Sequence, residues 1–322
     1  MGIVEITLVV GLIVLANVVK KQNSDTFIKL FDLLLIWLNA PLFLLGVLFV
    51  FQTSELRSMV TVQLDSPVAF GIFLQATAVW GVIVSFRSTR HSLERWMPID
   101  PHSPLHTLAL VLSGYFAGSV MLQVVGGLDN FTENMTRVSI LFFLAQQAGF
   151  VLIAFLGVGA VMRRDWTAVF KRLGLGPVNG RQLLEALGWI VLLVVLQWIG
   201  SVVWEMIDPQ EVAQVEALSE RLYEGFGFWH WLALAIGAGI GEEILFRGAL
   251  QPVLGIWFTS LLFAVVHVQY GLLNPATLVL FLLALILGHI KQRHNTTVAI
   301  LVHFGYDLIL ALITLLAATF VS

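Results

Sequence analysis

The sequence predicts an all-α fold: a polytopic transmembrane helical bundle of about ten helices. Two observations carry this. Of the 322 residues 58% are hydrophobic and 11% charged, against about 45–50% apolar and about 25% charged in a soluble domain. Uncharged or nearly uncharged stretches also recur along the whole length, each long enough to cross a hydrocarbon core about 30 Å thick as a helix.

The spans are 3–19, 31–52, 67–86, 105–127, 138–161, 183–204, 229–251, 252–272, 276–290 and 296–320. The first carries Glu5, with no basic residue before it and no A-x-A pattern after it. It reads as a retained helix, not a cleaved signal. Basic residues fall in alternate loops: Lys20, Lys21 and Lys29 after the first span, Arg87, Arg90 and Arg95 after the third, Arg163, Arg164, Lys171, Arg172 and Arg181 after the fifth, Lys291 and Arg293 after the ninth. The excess of Lys and Arg predicts that these loops are cytoplasmic and that both termini of this integral membrane protein are extracytoplasmic.

The connector between spans six and seven is acidic, and its segment 209–226 aligns Val212, Val215, Leu218 and Leu222 on one side of a helix. That pattern predicts a lid lying at the outer interface. The basic connector 162–182 contains Gly174, Gly176, Pro177 and Gly180, a turn-rich composition. It is expected to divide an N-terminal region of about five helices, 1–161, from a C-terminal domain, 183–322.

Net charge is -3 without an extended basic run, which argues against a nucleic-acid partner. The absence of cysteine excludes thiol catalysis and thiolate metal ligands. His91, His102, His106, His230, His289 and His294 fall at loop or interface positions and read as solvated, and Trp96, Trp204, Trp229 and Trp231 read as interfacial belt residues. Asn130-Phe-Thr and Asn134-Met-Thr fit a glycosylation sequon on an outer loop.

Ionisable residues inside a membrane are costly and mark function by default. They concentrate in the last third: Glu242, Glu243 and Arg247 on span seven, His267 on span eight, His303 and Asp307 on span ten. Unpaired at mid-span, the two glutamates, the arginine and the aspartate would together cost on the order of 10 kcal/mol. A protein stable by about 5–15 kcal/mol must pair them. Spacing supplies partners. Glu243 and Arg247 are four apart with the acid first, the favourable order for an ion pair, and His303 and Asp307 are also four apart, so a carboxylate can orient the imidazole. Glu242 sits about 100° around the helix from Glu243, free to face another cavity. Phe263, one turn before His267, can wall its ring. Glycines at 237, 239 and 241 permit close helix approach. The depths conflict at one point: with span eight starting at Pro252, His267 would sit well above Glu242 and His303.

A carboxylate and histidines in one partly dry cavity suit activation of water, hence hydrolysis. The same Glu242, His267 and His303 can instead be read as a zinc set with an open position for water. A proton-relaying transporter and a non-catalytic scaffold are the readings outside hydrolysis.

Glu242-Glu243-x-x-x-Arg247, Phe263-x-x-x-His267 and His303-x-x-x-Asp307, in this order on separate apolar helices, resemble the three signature motifs of the CAAX protease and bacteriocin-processing family, which includes the type II CAAX prenyl endopeptidases. The likeness covers roughly 183–322. It implies an intramembrane endopeptidase without a required cofactor, acting in a prokaryotic cell membrane on a membrane-associated peptide or protein, lipidated or leader-bearing, with membrane lipid as its other partner. It implies that Glu242 with His267 activates water, that Glu243 and Arg247 orient that group, and that His303 with residue 307 stabilises the oxyanion. An immunity factor on the same fold is the non-catalytic alternative. The departure is Asp307, where the prenyl endopeptidases carry Asn, because an ionised Asp cannot donate a hydrogen bond to an oxyanion. Asp307 then orients a protonated His303, is itself protonated, or belongs to a metal site.

Overall fold

Backbone polar groups in lipid must be satisfied within their own segment, which leaves helices as the spanning element for such a sequence. The computed structural model describes residues 3–51, 66–125, 137–267 and 274–321, and these form helices without a strand. The sequons at 130 and 134 lie outside the described residues. Among those residues eight helical segments are long and apolar enough to cross a membrane, and the chain is an integral membrane helical bundle. The helices group into two compact units, 1–135 and 136–322.

The first unit holds α1 (Ile3–Gln22), α2 (Asp25–Val50), α3 (Pro67–Ser85), the short α4 (Arg87–Leu93) and α5 (Pro104–Val125). Helix α2 packs on α3 and α3 on α5. A Cβ added at Gly46 or Gly71 would meet the other's carbonyl oxygen at 2.7 and 2.6 Å, so the backbones touch where both side chains are missing. Asn39 and Tyr115 link α2 to α5 through a 3.1 Å hydrogen bond.

The second unit begins with α6 (Ile140–Val158), which ends at the left-handed Gly159 (φ 95°). Next come α7 (Trp166–Leu173), capped by Asp165, α8 (Gly180–Ile207), capped by Asn179, and α9 (Pro209–Leu222). Helix α9 buries Val215, Leu218 and Leu222, as its amphipathic pattern predicts. Glu211 ties it down, accepting from Trp204 of α8 and from Asn274, each at 3.0 Å. Helix α10 (Phe228–Glu242) runs into a π-helix (Glu243–Leu250), then α11 (Gln251–Val265), α12 (Pro275–Arg293) and α13 (Thr296–Val321). Leu193 of α8, Leu283 and Leu287 of α12 and Val298 and Val302 of α13 form the core between those helices.

Two expectations change here. The sequence grouped helix five with the N-terminal region, whereas α6 clusters with the C-terminal helices because Gly237 and Gly241 admit it: a Cβ at Gly237 would meet Phe143 at 2.9 Å and one at Gly241 would meet Gln147. Its basic connector is bound to the same unit, since Thr296 donates from Oγ1 to the Leu173 carbonyl at 2.6 Å and from its backbone to the Gly174 carbonyl at 2.9 Å. The boundary between spans seven and eight also moves. Phe228–Val265 is helical for 38 residues, about 57 Å if straight. That is nearly twice a hydrocarbon core of about 30 Å. The break lies at Gly255 (φ 78°, ψ 167°), a conformation open to glycine, and not at 251/252.

Candidate active site

The turn at Gly255 decides where the histidine of α11 ends up. Glu242 precedes Gly255 by 13 residues and His267 follows it by 12, so a reversal there returns the chain by about 18 Å after an outward run of about 20 Å. The two side chains reach the same depth. His267 Nε2 lies 3.9 Å from Glu242 Oε2, which removes the depth conflict that a start at Pro252 produced. His267 Nδ1 is 2.7 Å from the Phe263 carbonyl. A carbonyl only accepts, so Nδ1 carries a proton, and in the neutral ring the Nε2 lone pair faces Glu242. Phe263 walls the ring as the spacing predicts, with centroids 4.4 Å apart.

Adjacent helical positions point in different directions, and the paired glutamates sit in different surroundings. Glu243 is fully buried: Oε1 is 3.0 Å from His303 Nδ1 and Oε2 is 3.3 Å from Arg247 Nε. The π turn keeps these residues, four apart, on nearly one face, and such turns favour functional sites. The Arg247 guanidinium is also buried, and its carbon sits 4.8 Å from the Phe263 ring centre. Glu242 turns instead toward His267, its side chain 12% exposed against 0% for Glu243. Asp307 Oδ2 approaches His303 Nε2 at 3.5 Å. With a carboxylate at each ring nitrogen, the arrangement suits a His303 that donates from both. Of the three readings of Asp307, this geometry matches the one in which it orients His303.

Reaching His303 and His267 together required α13 to lie against α10. Gly239 allows it: a Cβ there would meet Phe304 N at 3.1 Å. The six motif residues thus gather around one centre. Both ring nitrogens of His303 face carboxylates, those of Glu243 and Asp307. Among the described residues no group of three or more His, Asp or Glu is arranged to hold a metal ion.

Sequence reasoning missed Gln147. This buried residue of α6 donates from Nε2 to Glu242 Oε1 at 3.5 Å. An uncharged amide in an apolar span carries little weight beside Glu and Arg, and the signal that does exist is the glycine at 241, whose missing Cβ leaves room for the Gln147 side chain. Two histidines also depart from the solvated reading. His294 Nε2 lies 3.0 Å from Glu185 with its side chain 9% exposed, and His106 Nδ1 accepts from the Asp100 backbone at 2.8 Å.

Residues 224–309 match the family described as Type II CAAX prenyl endopeptidase Rce1-like. All six motif residues fall inside that range. The uncharacterized protein YpbD of Bacillus subtilis is 28% identical over 126 residues, which is 38% of this chain and 64% of that protein. The chain therefore covers less than two thirds of that relative. No solved structure matches.

Proposed function

We propose that this chain, a member of the CAAX protease family through the Rce1-like domain of residues 224–309, is an intramembrane endopeptidase. The observation that supports this most directly is the approach of Glu242 Oε2 to His267 Nε2 at 3.9 Å. With His267 neutral, both atoms are hydrogen-bond acceptors, and the pair calls for a donor between them. A water molecule supplies two protons and fits that demand.

In this reading Glu242 withdraws a proton from the water while His267 Nε2 holds it in line, and the oxygen attacks the scissile carbonyl. Gln147 occupies the other oxygen of Glu242 and leaves Oε2 for the water. The tetrahedral oxyanion meets the Nε2–H of His303, whose contact with Asp307 at 3.5 Å is longer than that with Glu243 at 3.0 Å and leaves the proton shareable. Glu243, Arg247 and Asp307 fix the imidazole, a role a carboxylate fills where it could not itself donate. The proton on Glu242 passes to the leaving amine. No step calls on a metal or cofactor.

The substrate class is a membrane-associated peptide or protein, lipidated or leader-bearing, entering from the cytoplasmic half of a prokaryotic cell membrane. With alternate basic loops cytoplasmic, both termini lie outside. A peptide library presented to the purified protein in detergent, with and without chelator, tests the reading. Glu242→Gln should lower cleavage by roughly 10²–10⁴-fold with folded yield unchanged. Full activity in that variant rejects the mechanism.

A further inference from the structure

Away from the carboxylates, the second unit gathers positive charge where α6 stops, α7 lies and α12 ends. The backbone N–H groups of Arg163 and Arg164 both donate to the carbonyl of left-handed Gly159 at 3.0 Å, and the Arg164 guanidinium turns back onto the Val158 carbonyl. From α7, Arg172 Nη1 donates to the Gly248 carbonyl at 3.0 Å. Gln251, three residues beyond Gly248, donates to the Gly288 carbonyl at 3.0 Å, and Lys291 begins the next turn of α12. These contacts draw Arg163, Arg164, Arg172 and Lys291 into one corner, and all four are half-buried.

Such a corner is electrostatically uncomfortable. Burial holds the Arg163 and Arg172 guanidinium groups below their ordinary range, and the neighbouring guanidinium of Arg164 pushes both the same way. The acid closest in sequence, Asp165, accepts from the Ala168 backbone at 2.8 Å as the cap of α7. Arg164 and Arg172 each have further N–H donors beyond the one given to a carbonyl. Beside the cations runs an apolar rim: Val161 is 81% exposed, Trp166 58% and Phe170 45%. Phe155 of α6 supports both aromatic rings, at 6.3 and 5.9 Å.

Half-buried cations between helix ends, edged by exposed apolar side chains, match the amphiphilic form of a phospholipid: phosphate among the cations, acyl chains against the rim. We propose that this corner binds the headgroup phosphate of an anionic phospholipid. Its position on Gly248 sets the lipid against the end of the π-helix that carries Glu243 and Arg247.

The test uses the full-length protein in neutral detergent, equilibrated with equal amounts of phosphatidylglycerol and phosphatidylcholine, with retained lipid read by native mass spectrometry. Wild type should prefer phosphatidylglycerol, and Arg163→Gln and Lys291→Gln should each cut that preference roughly fivefold. Arg163→Lys should keep most of it. Arg181→Gln, which removes a charge from the exposed pair with Glu185, should leave it unchanged. Equal retention of the two lipids by wild type overturns the proposal, as does an unaltered preference in the Arg163→Gln/Lys291→Gln double variant. Should the double variant not fold, salt titration of wild type replaces it, and a preference that survives high salt is the overturning result. Displacement of the lipid by millimolar inorganic phosphate would mark a free-phosphate site and also overturn the assignment.

Discussion

Each unit of this protein buries an arginine beside a carboxylate, and the two arrangements are unlike. Arg90 in the first unit is bonded at every guanidinium nitrogen: Nη2 to Asp32 at 2.7 Å, Nη1 to the carbonyls of Val84 and Ser85 at 3.0 and 2.7 Å, Nε to the Pro101 carbonyl at 2.9 Å. It closes the end of α3, the turn into α4 and the start of α5, which is structural work. Arg247 in the second unit lies 3.3 Å from Glu243 but finds no hydrogen-bond partner of good geometry among the described residues. It leans on Phe263 instead. Its carboxylate partner is shared with His303, whose other ring nitrogen faces Asp307, and the neighbouring Glu242 is partly exposed beside His267. A buried charge bonded at every nitrogen holds a fold, whereas one left short of partners beside other polar side chains marks a candidate site.

The comparison breaks most visibly when each arginine is removed. Arg90→Met and Arg247→Met each strand a buried carboxylate and should cost about 3–5 kcal/mol, read by thermal denaturation in detergent. Neutralising the carboxylate as well separates the two. Glu243→Gln/Arg247→Met should recover most of the stability, since no carbonyl depended on Arg247, yet lower peptide cleavage about 100-fold or more because His303 loses its fixed orientation. Asp32→Asn/Arg90→Met should stay destabilised by about 1–3 kcal/mol for each orphaned carbonyl. Its folded fraction should cleave at the wild-type rate. Equal behaviour of the two double variants would erase the distinction.

A smaller effect sharpens the same contrast. Gln147→Met keeps the volume of the side chain but removes the hydrogen bond to Glu242 Oε1. It should lower kcat about tenfold, or about 1.4 kcal/mol, with KM unchanged. An unaltered kcat would return Gln147 to packing alone. Smallest is Tyr115→Phe, which deletes the interhelical bond to Asn39 and should cost about 0.6 kcal/mol in stability without touching activity.

Hydropathy by itself determined that the chain is a membrane bundle, because 58% apolar residues in long uncharged runs have no other place to be buried. The order and spacing of Glu242, Glu243, Arg247, His267, His303 and Asp307 also marked these side chains as the candidate site, since charges that lipid penalises persist only where they are paired or used. Local spacing reached as far as pairs on one helix, Glu243 with Arg247 and His303 with Asp307. Contacts between helices were beyond it. Gly255 reads like any other glycine until its φ of 78° turns the chain and carries His267 back to Glu242. Gln147 reads as a stray amide until the missing Cβ of Gly241 lets α6 bring it to the same carboxylate. Tertiary structure decided both, because the direction of a turn and the helix that fills a glycine groove are set by the packing of the whole unit, and a periodicity of 3.6 residues reports one face of one helix at a time.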